Sequence, residues 1–596
     1  MMIKPNTIVL FLLLAFFTLG MNIYTETFLG GVGMIQTYNS VTAVIITCLI
    51  SLCFIFISLN KSVYISPIFK YLFLFSTAVL CSSTLNANQP WDVILSVTCI
   101  ALLAIGIFIV YQLEQEDVKK LLWILAIGIS IQAVIGILQV HDVKLVTDWT
   151  NYQYATSSYK VPIAIFRQVN VFGSFIVSGV AISLVLLLKY HHSKFQYLVL
   201  SSLLGIQTYA FFLVKSSRTA LLSMMIIGFL VTIYLLYSWL LSKSKLKLTS
   251  IKPIRWLPLA LGAIPLIIAL SVTLTGNTKS DVLQIKVDQV IERLSDKALG
   301  SNVKARMAIY TITWDLVKAK IWTGHGYGSF TRAYEYHLVE SGITKEYLGK
   351  SQLSHPHNIV LYLWAEGGVL PVVTLFILVG AIINQLLKRG RTGILWLAAL
   401  TPISLHLLTE APFSMSVPHI FMFSMILGGA TYHSRTKSEK ELVKSSTLLF
   451  GLIMTVVVSP YSILYGFRYS NLLTYSTKLP VHQQRASDFL IKKSHFEGPL
   501  AYRFAQLRAE RAFQKASQSK KAEDFQSYIV QAEPLEHFQP GKNLLANLAL
   551  SYAKIGNEEM GRKYFNQLAY YYPNKLNWFG LIRYYGEPDK FLQNND

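Results

Sequence analysis

Charged side chains are scarce in this chain. Asp, Glu, Lys and Arg make up 14% of its 596 residues, whereas 53% of the residues are hydrophobic and the mean hydropathy is +0.44. About a quarter of the residues of a soluble protein are charged, so a chain this large and apolar cannot cover itself with polar surface, which excludes a soluble enzyme. The apolar residues form unbroken runs of about 20, the length that crosses a bilayer as a helix. They do not alternate with polar residues as in an outer-membrane barrel.

Several other signals are absent. The four cysteines lie in apolar runs and show neither zinc-ligand spacing nor a disulfide framework. A Walker-type phosphate loop is missing, and no cytoplasmic connection could hold a nucleotide-binding domain, which excludes an ATP-driven pump. Because no acidic cluster stands out on the outer side, we expect no metal and no cofactor.

The apolar runs predict an all-α polytopic membrane protein with about 13 transmembrane helices. The predicted spans are 7–24, 42–59, 64–84, 93–112, 121–140, 168–188, 196–214, 219–241, 256–274, 358–386, 393–409, 414–432 and 447–466.

Positive charge is distributed unevenly over the connections between these spans. Lys and Arg recur after even numbers of crossings, from Lys4 through Lys119 and Lys120 to Arg435 and Lys437, whereas the other short connections carry few. By the positive-inside rule the amino terminus is cytoplasmic. With 13 spans, the carboxyl terminus then lies on the opposite, outer side of the membrane. The excess of 53 Lys and Arg over 31 Asp and Glu is therefore explained by topology and not by nucleic-acid binding.

This topology predicts four regions. They are amino-terminal membrane helices (1–274), a large outer loop (275–357), carboxyl-terminal membrane helices (358–466) and an outer helical domain (467–596). Within the last region, 547–574 has tetratricopeptide-like spacing with a turn near Gly556. This domain is interpreted either as a packing module without chemistry or as a docking module for an acceptor.

The most prominent polar cluster is His-Pro-His-Asn at 355–358, at the outer mouth of a span. Histidine titrates near neutrality and can take a proton from a hydroxyl group. In the alternative interpretation, an interfacial histidine of this motif caps the next helix, and Asn358 would also serve as a cap.

A second cluster surrounds Arg218, also at an outer helix mouth. A guanidinium on the side that is otherwise poor in positive charge suggests an anionic partner, and Arg forms bidentate contacts with phosphate. In the alternative interpretation, Arg218 snorkels to lipid headgroups.

Three further polar clusters are predicted on the same side. Gln168 and Asn170 begin a span, and His406 and Glu410 end another; amides and charges are costly in a membrane unless they face a cavity or a partner. Arg306 precedes Trp314 and a glycine-rich turn at 323–330, whose backbone N–H groups we expect to be exposed. Together the five clusters predict a polar cavity at the outer leaflet, where phosphate is the natural anion.

These motifs resemble the O-antigen ligase superfamily, and more closely its branch of bacterial pilin and protein O-oligosaccharyltransferases. The matching residues are FRQVN (166–170), SSRTALL (216–222), Arg306 with Trp314, TGHGYGSF (323–330), HPHN followed by EGG (355–368) and LHLLTEAP (405–412). The chain departs from the family pattern at Val169, where Pro or Arg is common, and at Ala411, where Tyr is common.

The resemblance implies an inverting glycosyltransferase of the membrane C-type architecture in the bacterial inner membrane, with a periplasmic active site. The donor would be an oligosaccharide on undecaprenyl diphosphate, and the acceptor a Ser or Thr of an exported protein such as a type IV pilin. It implies that His357 is the base or orienting group and that Arg218 stabilises the leaving diphosphate. Substrate-binding or supporting roles fall to Gln168, Asn170, Arg306, His355, Asn358, His406 and Glu410.

Other functions remain open at the level of sequence. An O-antigen ligase acting on lipid A-core, or a glycan polymerase, would use the same chemistry. A transporter with a soluble binding domain belongs to a different class; transporters more often carry polar groups near the bilayer midplane and internal repeats, whereas here the polar clusters lie at the outer mouths.

The charge distribution gives a test of topology. A reporter enzyme fused after Lys252 should show a cytoplasmic location, and one fused after Pro480 should show a periplasmic location. The reason is that Lys and Arg are retained on the cytoplasmic side. Cytoplasmic activity of the Pro480 fusion would contradict the outer placement of every polar cluster.

Overall fold

The computed structural model describes most of the chain. The residues described are 4–23, 37–58, 63–86, 90–150, 152, 161–166, 168–214, 217–243, 296–340, 353, 355–432, 440–441, 501–536, 541–571, 581 and 585.

This part of the chain contains 20 α-helices. They are α1 (Pro5–Thr18), α2 (Thr37–Ser58), α3 (Phe69–Asn86), α4 (Pro90–Gln112), α5 (Gln115–Val140), α6 (Lys144–Trp149), α7 (Val169–Lys189), α8 (Lys194–Leu213), α9 (Arg218–Lys243), α10 (Asp296–Ala319), α11 (Phe330–Glu340), α12 (Ile359–Gly367), α13 (Val369–Lys388), α14 (Arg391–Thr409), α15 (Pro412–Met415), α16 (Val417–Thr431), α17 (Ala501–Ser519), α18 (Ala522–Glu536), α19 (Lys542–Lys554) and α20 (Glu558–Tyr571). Two short strands, β1 (Val63–Tyr64) and β2 (Lys440–Glu441), pair in antiparallel orientation. The prediction of an all-α polytopic membrane protein is confirmed.

Most of the predicted spans correspond to helices of suitable length and composition. Seven are long and apolar enough to cross a membrane: Pro5–Asn22, Gln115–Val140, Val169–Lys189, Lys194–Leu213, Arg218–Leu240, Val369–Lys388 and Arg391–Thr409. Four shorter apolar helices, Val41–Ile57, Phe69–Thr84, Ser96–Gln112 and Val417–Thr431, match further predicted spans. The predicted spans 256–274 and 447–466 lie outside the described residues, so the number 13 stays a prediction.

One predicted span, 358–386, is in fact two helices. The break lies at Gly368, which has φ +74° and follows the end of α12. A side chain at this position would be strained in the left-handed region and would collide with the carbonyl group of Trp322. The pair of glycines that ends α12 therefore separates the short helix of the His-Pro-His-Asn motif from α13.

The chain divides into two compact units. The first comprises Met1–Ser76, Thr98–Ile291 and Leu375–Thr474, and the second comprises Thr77–Val97, Glu292–Thr374 and Tyr475–Asp596. The four regions predicted from the sequence are a different division, based on membrane topology, and stay a prediction.

In the first unit, α7 is the central helix and is almost wholly buried, with α5, α8, α9 and α14 packed around it. Small residues permit this, as is usual where helices approach closely in membranes. A Cβ atom on Gly173 would lie 3.0 Å from the Cβ of Ala220 on α9. A Cβ on Gly179 would lie 2.5 Å from the side chain of Ile129 on α5.

A buried glutamine links three helices of this unit. The side-chain amide of Gln207 on α8 donates to the carbonyl oxygen of Ala126 at 3.1 Å and to the Ser130 hydroxyl at 2.9 Å, both on α5. Its oxygen accepts from the Ser183 hydroxyl of α7 at 3.0 Å. Each polar group thus finds a partner inside the bundle, as burial requires.

The second unit contains a small bundle of α10, α11 and α12. Ile312 and Leu316 of α10, Phe330 and Tyr334 of α11 and Ala365 of α12 form its buried core. Burial raises the pKa of the Tyr334 hydroxyl above its usual value, so this group stays neutral.

The carboxyl-terminal helices form two consecutive helical pairs, α17–α18 and α19–α20, around a common apolar core. The turn between α19 and α20 lies at Gly556, where φ is +78°, in agreement with the predicted turn. Two buried or partly buried tyrosines, Tyr552 and Tyr564, donate to the carboxylate of Glu533 at 2.5 and 3.1 Å. The identification of this domain as tetratricopeptide-like stays a prediction.

Candidate functional site

In the first unit, polar groups of α7 and α14 meet around the carboxylate of Glu410. This residue follows the last residue of α14 and is 6% exposed. Its Oε1 accepts from the side-chain amide of Asn170 at 2.5 Å, and its Oε2 accepts from the side-chain amide of Gln168 at 3.3 Å. The structure therefore brings Gln168 and Asn170 together with Glu410. The sequence predicted the two amides and the carboxylate in two separate clusters.

His406 lies behind this carboxylate, one helical turn earlier on α14, and is fully buried. Its Nε2 is 3.0 Å from Glu410 Oε2, and its Nδ1 is 2.8 Å from the hydroxyl of Ser174 on α7. Two amide N–H donors and the Nε2 atom of His406 thus converge on Glu410, an arrangement that suits the ionised carboxylate.

The spacing of these residues explains how two helices can share the cluster. Asn170 and Ser174 are four residues apart on α7, and His406 and Glu410 are four residues apart at the end of α14. Residues four apart lie on one face of a helix. The two faces meet in register, so Asn170 reaches Glu410 and Ser174 reaches His406.

One member of this cluster, His419, was not among the site residues predicted from the sequence. It is fully buried in α16, and its Nε2 lies 3.0 Å from the carbonyl oxygen of Val171 and 3.3 Å from the Ser174 hydroxyl. Its Nδ1 lies 2.9 Å from the Ser416 hydroxyl. The signal that could have identified it is a histidine inside an otherwise apolar helix, which is costly without polar partners.

Arg218 is the first residue of α9, and its side chain is exposed. The next residue, Thr219, is 2.9 Å from Thr409 through their side-chain hydroxyls. This hydrogen bond fixes the beginning of α9 at the end of α14, where Glu410 follows. Arg218 is therefore held at the same end of the bundle as the Glu410 cluster. Its neighbours Lys215 and Ser216 lie outside the described residues.

In the second unit, a buried carboxylate organises the glycine-rich turn. Glu366 of α12 is 2% exposed, and its Oε1 accepts from the backbone N–H groups of Gly328 at 3.0 Å and Phe330 at 3.2 Å. The backbone oxygens of Ala365 and Glu366 accept from the N–H groups of His325 and Gly326. The expectation that the N–H groups of this turn are exposed is wrong for these four, because residues 365 and 366 already occupy them.

Glycine is required in this turn. Gly324 has φ +66°, and a Cβ atom there would collide with the backbone carbonyl of Glu366. The side chain of His325 points back to the bundle, with its Nε2 3.0 Å from the carbonyl oxygen of Leu316. Burial is the main cause that lowers the pKa of His325 below its usual value, which favours a neutral, structural imidazole.

The His-Pro-His-Asn motif lies at the beginning of α12. The Asn358 side chain accepts from the backbone N–H groups of Val360 at 3.0 Å and Leu361 at 3.1 Å, so it caps the helix as the alternative interpretation expected. The rings of His355 and His357 lie 4.6 Å apart, and both residues are half-buried.

His357 has a positive φ of 55°. This left-handed conformation is uncommon for residues with a Cβ atom and costs roughly 1–2 kcal/mol that glycine would avoid. Strain of this kind is found mainly where a side chain is needed for function. Helix capping by Asn358 does not require an imidazole at position 357.

Arg306 and Trp314 lie on α10, and Trp314 packs edge-on against Trp364 of α12 with 5.5 Å between the ring centroids. The indole N–H of Trp364 donates to the carbonyl oxygen of Ile321 at 3.2 Å. Trp314 thus has a packing role, and Arg306 lies two turns before it, half-buried.

The predicted site residues thus fall into two groups, each within one compact unit. Gln168, Asn170, Arg218, His406 and Glu410 belong to the first unit, and Arg306, His355, His357 and Asn358 belong to the second. A single polar cavity that combines both groups stays a prediction. Within the described ranges, no three His, Cys, Asp or Glu side chains are grouped like metal ligands, and metal independence is likewise still a prediction.

Two protein-family models match the chain. The O-antigen ligase family matches residues 200–377, and the family of the carboxyl-terminal part of virulence factor membrane-bound polymerases matches residues 394–579. No curated protein matches the sequence significantly. The two matches support the O-antigen ligase superfamily and an activity of the glycosyltransferase kind that ligates or polymerises lipid-linked glycans.

The packing of the glycine-rich turn on α12 predicts a large effect of one methyl group. Gly324→Ala should lower the thermal stability of the detergent-purified protein strongly, or prevent its accumulation, because the new Cβ combines left-handed strain with a backbone collision. Gly556→Ala is the matched control, since its φ is +78° and nothing lies within 4 Å of the added carbon. This control should show only the strain, roughly 1–2 kcal/mol. Equal melting temperatures for the two variants would contradict the tight packing of Gly324.

Proposed function

We propose that this chain is an inverting O-oligosaccharyltransferase. It transfers a glycan from undecaprenyl diphosphate to a Ser or Thr hydroxyl of an exported protein such as a type IV pilin. The match to O-antigen ligases supports a donor of this kind, and the spacing of the motifs in the sequence favours the protein-glycosylating branch. The reaction would take place on the periplasmic side of the inner membrane; the distribution of Lys and Arg supports this orientation.

The observation that carries the proposal is the conformation of His357. His357 lies directly before the residue that caps α12, and its backbone is held in a strained, left-handed conformation. The surrounding structure therefore fixes the position of its imidazole. Histidine is the side chain best suited to accept a proton from a hydroxyl group near neutral pH. We assign His357 as the base or orienting group for the acceptor hydroxyl, with His355 packed beside it at a tilt to hold the loop.

The transfer exchanges one bond at the anomeric carbon of the donor sugar. The acceptor oxygen forms a new bond to that carbon from the face opposite the diphosphate, and the bond between the carbon and the diphosphate oxygen breaks. The acceptor proton passes to the imidazole of His357, and the bonding electron pair leaves with undecaprenyl diphosphate. Because diphosphate is a good leaving group, the reaction needs no ATP.

Arg218 is assigned to the diphosphate. Negative charge builds up on the leaving group in the transition state, and a fixed cation that meets this charge lowers the barrier. The guanidinium of Arg218 is exposed, at a helix start that the Thr219–Thr409 hydrogen bond fixes. Arg306 is assigned a supporting role towards the same charge.

The Glu410 cluster is assigned to sugar binding. Glu410 accepts one N–H from Gln168 and one from Asn170, which fixes the orientation of both amides. The Oε1 atom of Gln168 has no hydrogen-bond partner in the described part of the chain. A buried acceptor of this kind is costly unless it is satisfied, and a sugar hydroxyl is a donor that would satisfy it.

The second candidate is a glycan polymerase, or a ligase that uses lipid A-core as acceptor. The match of residues 394–579 to the carboxyl-terminal part of virulence factor membrane-bound polymerases favours a polymerase. These activities share donor and chemistry with the proposal and differ in the acceptor, so the acceptor is what the experiment must identify.

The test is co-expression in a host that supplies a lipid-linked glycan, together with pilin and lipid A-core as competing acceptors. We expect the wild-type protein to add sugar to the pilin, and His357→Gly to lose most transfer, on the order of 10²–10⁴-fold. Glycine fits the left-handed position without strain, so this variant removes the imidazole and keeps the loop. His355→Ala should lose less. In vitro, wild-type activity should fall as the pH drops through about 6.5, where histidine ordinarily becomes protonated.

Full activity of His357→Gly would overturn the role of the imidazole. Transfer to lipid A-core alone, or formation of longer glycans on the lipid carrier, would instead identify the ligase or the polymerase. A pH profile that stays flat while His357→Gly is inactive would assign His357 to hydrogen bonding without proton transfer.

A separate variant tests the role of Arg218. Arg218→Lys keeps the positive charge but loses the two parallel N–H groups that grip a phosphate, so we expect a large loss of transfer at unchanged membrane levels. The measurement is the initial rate with purified lipid-linked donor. Wild-type rates in Arg218→Ala would remove this residue from the site.

A further inference from the structure

Behind the Glu410 cluster, a chain of hydrogen bonds continues into the core of the first unit. It runs from Glu410 to His406, then to Ser174, and then to His419 and Ser416. The middle three side chains are fully buried and come from α14, α7 and α16. The chain therefore crosses three helices of the bundle.

The partners indicate the direction of the bonds at the two ends of this chain. The carbonyl oxygen of Val171 can only accept, so His419 Nε2 carries a proton and donates to it, and His419 Nδ1 accepts from the Ser416 hydroxyl. At the other end, the amides of Gln168 and Asn170 both donate to Glu410, which suits an ionised carboxylate. Such a carboxylate can only accept, so His406 Nε2 donates to it.

The Ser174 hydroxyl connects the two histidines. With a proton on Nε2 alone, His406 accepts at Nδ1 from the Ser174 hydroxyl at 2.8 Å. The Ser174 oxygen can then accept from the N–H of His419 at 3.3 Å. In the other arrangement, the Ser174 hydroxyl donates to the carbonyl oxygen of Val171 at 3.1 Å and accepts from a proton on His406 Nδ1. The proton position on His406 therefore distinguishes the two arrangements.

We propose that Ser174 and His419 are positioning residues that hold His406 in its Nε2–H tautomer and thereby fix the Glu410 carboxylate between Gln168 and Asn170. The part of this inference that concerns catalysis rests on the proposed function, in which the two amides bind the sugar. The part that concerns the tautomer of His406 is independent of the proposed function.

The consequence is a substrate-binding surface set from inside the bundle. Glu410 orients the amides of Gln168 and Asn170, His406 orients Glu410, and Ser174 orients His406. Loss of the Ser174 hydroxyl leaves His406 Nδ1 without its donor, so the imidazole can change tautomer or rotate and stop donating to Glu410. A misplacement by about 1 Å at a distance from the reacting atoms can cost about 100-fold in rate.

The α7 helix offers a matched control. Ser178 lies one turn after Ser174 and is also fully buried, but its hydroxyl donates to the backbone oxygen of Ser174 at 2.9 Å. Ser174→Ala and Ser178→Ala each remove one buried hydroxyl from the same helix. Only the first removes a partner of an imidazole.

The first measurement is independent of catalysis. In protein labelled with ¹⁵N at histidine, the ring nitrogens of His406, assigned by their disappearance in His406→Gln, should show the neutral Nε2–H tautomer. Ser174→Ala should change these signals, and Ser178→Ala should leave them in place. A proton on His406 Nδ1 in the wild-type protein, as the Nδ1–H tautomer or as the imidazolium, or identical spectra for the two serine variants, would overturn the proposal.

The second measurement is kcat/KM for glycan transfer. We expect Ser174→Ala to lose on the order of 10- to 100-fold and Ser178→Ala to stay close to the wild type. If Ser174→Ala accumulates poorly, variants at position 406 replace it. The amide of His406→Gln can take the position of Nε2 and still donate to Glu410, whereas the shorter amide of His406→Asn reaches only Ser174.

His406→Gln should therefore keep clearly more activity than His406→Asn. The reverse order, or equal losses in Ser174→Ala and Ser178→Ala, would contradict a positioning role. A wild-type protein that transfers no glycan to any acceptor, yet shows the expected tautomer and its loss in Ser174→Ala, would refute the proposed function and leave the positioning of Glu410 standing.

Discussion

The hydrogen bonds to the buried carboxylate of Glu410 are the interaction on which the arrangement of the first unit depends. A carboxylate at the end of an apolar helix is costly unless donors replace the water it has lost. The donors come from the beginning of α7 and from the last turn of α14. Because they come from different helices, the same contacts that satisfy the charge also fix the register of α7 against α14.

The second unit uses a carboxylate in a similar way. Glu366 accepts from backbone N–H groups at the beginning of α11 and so connects the glycine-rich turn to α12. The turn cannot move without exposing that charge to an apolar core. The loop of His355 and His357 lies at the other end of α12, where Asn358 caps the helix. A short helix anchored at both ends can hold a histidine in a left-handed conformation that an isolated loop would relax.

The sequence was a good guide to spans and to polar residues, but less so to their partners. Long apolar runs define membrane helices by composition alone, and polar residues stand out against them; Glu410 and His357 were found in this way. The hydrogen-bond partners of these residues were harder to predict, because they depend on packing between segments that are distant in the sequence. Ser174 looks ordinary in the sequence. His419 stands out as a histidine in an apolar run, but its partners on α7 depend on the approach of α16 to α7. The glycine-rich turn looked like a ligand site because its true acceptor, Glu366, lies in another motif.

The break at Gly368 shows the same limit and explains a feature of the site. Hydropathy continues from α12 into α13, so composition predicts one long helix, whereas the break is set by a close approach between backbone segments. An unbroken helix would make the beginning of α12 a rigid continuation of α13. The break frees α12 to pack on α10 and α11, with Ala365 in their core. The orientation of His357 is therefore determined by the small bundle of the second unit, and the glycine pair of the motif has a structural role as definite as that of its histidines.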